Sequence, residues 1–249
     1  MSYNELLKKR DLFLSQKDKI PKSALESFDK TFDIEYTHNS TAIEGNTLTL
    51  IQTKAILEDK LSVGGKSLRE IYEVVNHNKA FDHTRKCIAE NKPLSESIVK
   101  DIHFMLMENI IIGGIYRNVG VRITGAKHKP PAPSEMYIQI KDFYAKLQDN
   151  QEMNTIELAA WTHAEFVKIH PYEDGNGRTS RLIMNYQLMT NGFLPISIAK
   201  EDRLAYFETL EAYAVDGDLQ PFAEMIANLE STQLDDYLSI LPKNKDYER

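Results

Sequence analysis

Apolar residues recur every three or four positions along most of the chain, the pattern of helices with one buried face. Few runs of β-branched residues interrupt it. We therefore predict ten helices, over residues 4–14, 22–42, 50–59, 68–90, 96–108, 136–148, 156–169, 178–190, 200–215 and 221–237. Thr49 followed three residues later by Gln52 is typical of a capping box and marks the start of the third helix. The predicted fold class is all-α.

The segment between the fifth and sixth predicted helices has a different character. Its glycines and prolines exclude a long helix: Gly113, Gly114, Gly120, Gly125, Pro130, Pro131 and Pro133. Val121 and Ile123 alternate with Arg122, and Thr124 and Gly125 follow. Because alternation with a period of two is typical of strands, we expect a short extended segment or β-hairpin here.

Length and composition place limits on the class of protein. The 249 residues can bury a large core, and 42% hydrophobic and 27% charged residues are ordinary proportions for a soluble protein. The net charge of −7 argues against a dedicated nucleic-acid-binding protein. A single cysteine, Cys87, excludes an internal disulfide. Since a signal peptide and an apolar run of ~20 residues are both lacking, we expect a cytoplasmic protein without a membrane partner.

Residues 170–181, with the sequence HPYEDGNGRTSR, connect two predicted helices. Gly175 and Gly177 let backbone amides approach a ligand closely where the second helix starts, and free amides together with the helix dipole bind anions. Arg178 and Arg181 lie three residues apart, so they share a helix face and can both contact a polyphosphate. The run therefore predicts an anion site.

Two further side chains of this run suggest a transfer reaction. Asp174 offers a hard oxygen ligand suited to Mg²⁺ beside phosphates. His170 can accept a proton near neutral pH. Cations, a metal ligand, a base and an anion site within twelve residues indicate phosphoryl or nucleotidyl transfer rather than a simple polar turn. Of the other histidines, His103 and His163 are predicted to be structural and His128 to be solvated.

The run resembles the signature of Fic proteins, H-P-F-x-(D/E)-G-N-G-R-x-x-R. Tyr172 departs from it, standing where phenylalanine is usual, and its hydroxyl needs a partner or water. The resemblance implies an all-α Fic fold, a helical bundle with a small β-hairpin flap, that binds ATP and Mg²⁺, with Mn²⁺ as a second candidate metal. It implies that His170 deprotonates a target hydroxyl and that Asp174 holds the metal. Nucleotide contacts are implied for Gly175, Asn176, Gly177, Arg178, Thr179, Ser180 and Arg181.

Two segments outside the signature are also similar to parts of the family. Residues 114–131 resemble the flap, which docks an extended stretch of target by main-chain pairing. The docking residues implied are Val121, Arg122, Ile123, Thr124 and Gly125. Residues 202–222 resemble the region that follows the signature helix. Tyr206 there is a candidate for the adenine pocket, although an aromatic residue at helical spacing is more often part of the core.

Residues 40–46, with the sequence STAIEGN, resemble the inhibitory motif of the family, (S/T)-x-x-x-E-(G/N). Ser40 and Glu44 lie four residues apart and therefore on one helix face. A carboxylate at this helix end would pair with Arg181 and deny that arginine to the γ-phosphate of ATP. Because the motif precedes the signature, the chain resembles the subclass whose inhibitory helix is N-terminal.

These resemblances imply three regions: N-terminal helices with the inhibitory helix over 1–62, a Fic catalytic domain over 63–240, and a charged tail over 241–249. The implied function is transfer of AMP from ATP to Ser, Thr or Tyr hydroxyls of proteins, with pyrophosphate as product and Glu44 as inhibitor. Self-modification, removal of AMP and homodimer formation stay open. One alternative is a Fic-fold phosphotransferase, which Gly177 disfavours because such relatives carry lysine there. The other is a nucleotide-binding regulatory protein without catalysis.

Overall fold

The structure is a computed structural model that describes residues 3–149 and 153–242. Within those ranges it contains ten α-helices, and 3₁₀ turns at Lys17–Lys19 and Lys200–Asp202. The helices are α1 Tyr3–Gln16, α2 Lys22–Ile43, α3 Leu50–Leu57, α4 Leu68–Ala89, α5 Glu96–Met107, α6 Pro133–Gln148, α7 Thr155–Ile169, α8 Asn176–Thr190, α9 Arg203–Asp216 and α10 Gln220–Ser239. The prediction of ten helices is confirmed, because each predicted segment overlaps one of them.

Local sequence signals set most of the helix ends. The capping box of Thr49 with Gln52 starts α3 as predicted. Two helices begin two or three residues earlier than predicted from their apolar residues. Helix α6 starts at Pro133, whose fixed φ suits the first helical position. Helix α8 starts at Asn176, directly after Gly175, and not at Arg178 as predicted. Residues 176 and 177, which were predicted to lie in the loop before this helix, therefore belong to the first turn of α8.

The expected β-hairpin is absent from the described structure, which contains no strand. The chain between α5 and α6, which we call the extended segment after its prediction, has no regular structure apart from turns and bends, including a turn at Thr124 and Gly125, and no backbone ladder joins its two arms. Side chains satisfy its polar groups instead: the amides of Lys127 and His128 both donate to the carboxylate of Glu211 on α9, at 2.8 and 3.2 Å. The predicted hairpin pairing is therefore wrong, and the extended conformation of the segment stays a prediction. The segment contains Val121, Arg122, Ile123, Thr124 and Gly125.

Helix α8 lies at the centre of the molecule. It packs along α7 and is contacted by α2, α4 and α5, while α1 lies against α10 at one side. Twelve of its fifteen residues are buried, including Arg178 and Arg181. Buried guanidinium groups are costly unless they are paired, so the surroundings of α8 must supply acceptors to both arginines.

Several remaining predictions concern the chain as a whole. Cys87 is buried and free, as expected for a small core residue. No helix within residues 3–149 and 153–242 is long and apolar enough to cross a membrane. The division at residues 62 and 63 stays a prediction, and helices on both sides of it pack on each other. Most of the predicted charged tail, residues 243–249, lies outside the described residues.

Candidate active site

A tight loop joins α7 to α8. His170 ends α7 in a left-handed conformation, with φ 53° and ψ 60°, and Gly175 takes a second one, with φ 76°. Asn176 closes the loop: its side chain accepts from the amide of Tyr172 at 2.9 Å and donates to the carbonyl of Tyr172 at 2.8 Å. Asn176 is thus part of the loop's own structure, and its amide belongs to the first turn of α8.

The loop rests on a stack of two rings. The imidazole of His103 lies parallel to the ring of Tyr172, with 3.5 Å between their centres. His103 accepts from the Gly114 amide through Nδ1 (2.8 Å) and donates from Nε2 to the carbonyl of Asp174 (3.0 Å), so it is the structural residue predicted. Burial lowers the pKa of His103 to about 4, which fits this neutral form. A Cβ on Gly175 would overlap the end of a methionine and crowd His103, so this position needs glycine for space as well as for φ.

The departure from the signature at Tyr172 has a visible consequence. Its ring is fully buried against His103, Tyr116 and Phe166. Among the described residues no group forms a hydrogen bond with its hydroxyl. Burial raises the pKa of this phenol well above its usual value. The hydroxyl therefore stays protonated and does not contribute a charge to the site.

Arg117 fixes the start of the loop from the opposite side, a role that the sequence did not reveal. Its guanidinium is almost completely buried, yet in the part of the chain that the structure describes it makes no ion pair. It donates instead to three carbonyls: those of His170 (2.7 Å), Val119 (2.8 Å) and Pro131 (2.7 Å). Its own amide donates to the carbonyl of Pro171 at 2.9 Å. Arg117 thereby joins the His170 loop to both ends of the extended segment.

His170 is partly buried beside α7. Its Nδ1 lies 3.3 Å from the carbonyl of Val167, which can only accept, so the proton of the neutral ring is on Nδ1 and Nε2 is free to accept another. Burial, with a smaller contribution from the charge of Arg117, lowers the pKa of His170 to about 4, although the Val167 carbonyl and Glu44 act in the opposite direction. The imidazole is therefore neutral at physiological pH.

Asp174 sits in a group of charged side chains at the end of the loop. Its Oδ1 accepts from the Gly175 amide at 2.5 Å and from Arg178 at 3.1 Å, and its Oδ2 accepts from Arg69. Although burial acts to raise its pKa, the charges of Arg178 and Arg69 prevail and hold it below its usual value. Arg178 also lies 3.4 Å from the buried carboxylate of Glu73. Arg69 and Glu73 were not predicted as site residues.

The first turn of α8 is the place where the sequence predicts an anion site. The amides of residues 176–178 have no acceptor within the helix, since the first helical bond runs from Thr179 to Gly175. Glu44, directly after α2, reaches this turn: a Cβ on Gly177 would overlap its Oε1. The same oxygen accepts from Arg181 at 2.8 Å. A carboxylate of the chain thus occupies the place where the helix end would hold an anion.

Arg181 is only 1% exposed and uses its donors on three partners. Besides Glu44 it donates to Oγ of Ser40 at 2.9 Å, to the carbonyl of Ser40 at 2.7 Å, and to the hydroxyl of Tyr206 at 3.3 Å. The structure therefore brings together Ser40, Glu44 and Arg181, as the resemblance to the inhibitory motif implied. Tyr206 is buried and supports Arg181.

The remaining predicted residues lie in α8, in α7 and in the segment before α6. Thr179 and Ser180 are fully buried, and their hydroxyls donate to the carbonyls of Gly175 and Gly177, both at 2.8 Å. His163 lies behind them, with Nε2 2.8 Å from the hydroxyl of Tyr206, and is structural as predicted. Residues 121–125 of the extended segment are exposed or half-buried. His128 is not solvated as predicted, because its Nε2 lies 2.8 Å from the carbonyl of Lys168.

The donor set limits which metal the site could hold. No cluster of three or more histidine, cysteine or acidic side chains with metal-binding geometry occurs in the described ranges. Asp174 is a single carboxylate beside the helix end that is predicted to bind anions. Mg²⁺ is commonly held in this way, by one or two carboxylates together with substrate phosphates. The residues thus fit a metal that arrives with a nucleotide.

Together these features define the class of protein: an all-α protein in which a carboxylate contacts the first turn of a buried helix, near a neutral histidine. Comparison with known proteins gives its family. A model described as the Fic/DOC family matches residues 93–188. The "Protein adenylyltransferase Fic" of Aedes aegypti is 35% identical over 241 residues, which are 95% of this chain and 47% of the relative. The protein of that name from Culex quinquefasciatus is 35% identical over 221 residues, or 87% and 44%.

Solved structures agree with these matches. Fic-1 from C. elegans is 32% identical with a TM-score of 0.83, over 95% of this chain and 70% of that chain. A Fic domain containing signaling protein from Bacteroides thetaiotaomicron is 25% identical with a TM-score of 0.84, over 96% of both chains. The chain belongs to the Fic/DOC family. It spans less than half the length of the curated relatives that it matches.

Proposed function

We propose that this chain transfers AMP from ATP to a hydroxyl group of a protein, with His170 as the base and Glu44 as an inhibitor. The observation that carries the proposal is the contact of Glu44 with Gly177 and Arg181, because it marks the start of α8 as an anion site. The name of the relatives, protein adenylyltransferase, supports the same activity. ATP, a protein hydroxyl of Ser, Thr or Tyr, and a second copy of the chain are the partners proposed.

In the proposed reaction, the hydroxyl oxygen of the target attacks the α-phosphorus of ATP. The bond from that phosphorus to the bridging oxygen breaks, and pyrophosphate leaves. The hydroxyl proton passes to Nε2 of His170, the nitrogen left free by the contact of Nδ1 with Val167. Although a base with a pKa of about 4 is weak, it is fully deprotonated at neutral pH.

The chain's other residues bind and orient the nucleotide. The first-turn amides of α8 and the side chain of Arg181 hold phosphate oxygens, and a helix end needs no rearrangement to do so. Asp174 would hold Mg²⁺, which when bound neutralises phosphate charge. Arg178 lies behind Asp174 and keeps it ionised. The extended segment 121–125 would dock the target by main-chain pairing, for which its unpaired backbone is suited.

Glu44 is proposed to inhibit by taking the place of a phosphate. Its Oε1 lies at the first turn and engages Arg181, so a triphosphate cannot use either while Glu44 stays. The Arg181 pair is desolvated on one side and charge-assisted, which makes it stronger than a surface ion pair. ATP must therefore displace Glu44 before it can bind in a reactive pose.

Transfer of label from ATP tests this function. The wild type, Glu44→Gly and Glu44→Gly/His170→Ala are each incubated with Mg²⁺, a lysate or the chain itself, and ATP labelled at the α- or γ-phosphate. Glu90→Gly is the matched control, because Glu90 also ends a helix with nearly the same backbone angles (φ −83°, ψ 6° against φ −85°, ψ 1°). We expect α-label on protein with Glu44→Gly, about tenfold or more above wild type, as one charge-assisted contact is released.

The other outcomes separate the alternatives. Label from the γ position alone would indicate a phosphotransferase and reverse the orientation of the nucleotide. No label from either position, with ATP still bound, would indicate a regulatory nucleotide-binding protein. Transfer that survives in the His170→Ala variant would rule out His170 as the base. Activity in Glu90→Gly equal to that in Glu44→Gly would show that the effect comes from a glycine at a helix end and not from release of Arg181.

A further inference from the structure

Arg69, in the first turn of α4, contacts the proposed metal ligand. It donates from Nη2 to Oδ2 of Asp174 and from Nε to Oε1 of Glu73, the latter at 3.2 Å. Oδ1 of Asp174 accepts from the Gly175 amide and from Arg178. Both oxygens of the one carboxylate proposed to hold Mg²⁺ are therefore engaged within the chain.

The two arginines differ in how easily they can move away from Asp174. Arg178 is buried in the first turns of α8, whereas the side chain of Arg69 is 54% exposed. If Arg69 leaves Asp174 it keeps Glu73, four residues later on the same helix, as a partner. Only one of its two ion pairs would be lost. Oδ2 is consequently the oxygen that an incoming cation can reach.

We propose that Arg69 competes with Mg²⁺ for Asp174 and thereby sets the metal concentration at which nucleotide binds. The inference rests on the proposed function, because it takes Asp174 as the metal ligand. A guanidinium at Oδ2 places a positive charge next to the position of the divalent cation, and the two charges repel each other at that distance. In the metal-bound form Arg69 pairs with Glu73 alone.

Binding of ADP tests the competition, since ADP has the phosphates that accompany the metal but cannot donate AMP with pyrophosphate as the leaving group. Its affinity is measured by calorimetry over a series of MgCl₂ concentrations, in the Glu44→Gly background where the anion site is open. The readout is the half-saturating Mg²⁺ concentration. Arg69→Gln removes the charge and keeps a side chain of similar polarity. Lys79→Gln is the matched control: Lys79 is on the same helix, is 52% exposed, and pairs with Glu108.

We expect Arg69→Gln to lower the half-saturating Mg²⁺ concentration about fivefold, the effect of one half-exposed charge-assisted pair. Lys79→Gln should leave it unchanged. An unchanged or higher value in Arg69→Gln overturns the inference. Asp174→Asn distinguishes this failure from failure of the proposed site. If Mg²⁺ still strengthens ADP binding in Asp174→Asn, Asp174 is not the ligand. Suppose instead that Asp174→Asn loses the Mg²⁺ dependence of ADP binding, while Arg69→Gln has the same half-saturating Mg²⁺ concentration as the Glu44→Gly background. Asp174 is then the metal ligand, and only the proposed competition by Arg69 is wrong.

Discussion

Replacing Arg117 should destabilise the protein more than replacing any exposed arginine. Arg117→Met keeps most of the apolar stem but leaves the carbonyls of His170, Val119 and Pro131 without their donor. Each buried carbonyl left unpaired costs about 1–3 kcal/mol. Three of them, taken at the low end because they are only partly buried, give a loss of about 3 kcal/mol in the free energy of unfolding. The folded wild type also buries the charge of Arg117 without a carboxylate partner, which is unfavourable. Arg117→Met removes this unfavourable burial, so a part of the loss is offset.

Urea unfolding followed by tryptophan fluorescence measures the effect. Trp161 is the single tryptophan, and it is buried against Phe143 on α6. Arg122→Met is the control from the same segment: Arg122 is exposed, so its loss should stay within about 0.5 kcal/mol. Arg117→Lys should recover little stability, since one ammonium group cannot reach three separate carbonyls. A loss below about 1 kcal/mol in Arg117→Met would refute the reasoning.

Three further outcomes follow from the site. Tyr172→Phe should leave the free energy of unfolding unchanged or raise it by up to about 1 kcal/mol, because the buried hydroxyl has no described partner. A loss above about 1 kcal/mol in urea unfolding would show that the hydroxyl does have a hydrogen-bond partner. Gly177→Ala, introduced into Glu44→Gly, should weaken ADP binding about tenfold in calorimetry, as its Cβ takes the position held by Oε1 of Glu44; equal affinity would show that phosphate binds elsewhere. Burial holds the pKa of His103 near 4 in the folded protein, whereas in the unfolded chain it is about 6.5. As the pH falls below about 6.5, the imidazole therefore takes up a proton in the unfolded state before it does so in the folded state. His103 should thus remove about 2 kcal/mol of stability between pH 7.5 and 5, and the stability of His103→Gln should depend less on pH by that amount.

The sequence predicted the helices well because they depend on local patterns. Apolar spacing and caps located all ten helices, and the misplaced start of α8 was an error of two residues. Ser40, Glu44 and Arg181 meet in the structure although residues 44 and 181 are 137 apart in sequence. Their contact was inferred through resemblance to a family, since no local pattern links positions so distant. The roles of these residues in catalysis stay predictions.

The sequence could not predict the contacts that isolated arginines make with distant parts of the fold. Arg117 lies in a segment of glycines and prolines, where an arginine is usually solvated, and its acceptors are carbonyls that carry no side-chain signal. Arg69 shares its carboxylate with Arg178 over a separation of 105 residues. The prediction of a β-hairpin was wrong for a related reason. Alternation specifies an extended backbone, but Glu211 and Arg117 supply the hydrogen-bonding partners that a second strand would have given.

The charges of the site are balanced within the chain, which explains why these contacts exist at all. Arg178 and Arg181 are buried on α8, and a buried guanidinium without a counter-charge is strongly unfavourable. Glu44 and Asp174 supply the opposite charges in positions that the proposed reaction assigns to phosphate and to the ligand of Mg²⁺. In the proposed function Glu44 stands in for a phosphate, so a change that strengthens the anion site should also strengthen the inhibitory contact. A change at Glu44 can raise nucleotide binding without weakening the site, whereas a change in α8 alters both. In that proposal the inhibitory contact and the nucleotide site share Arg181, and the free energy that ATP gains from Arg181 is reduced by what Glu44 already gains from it.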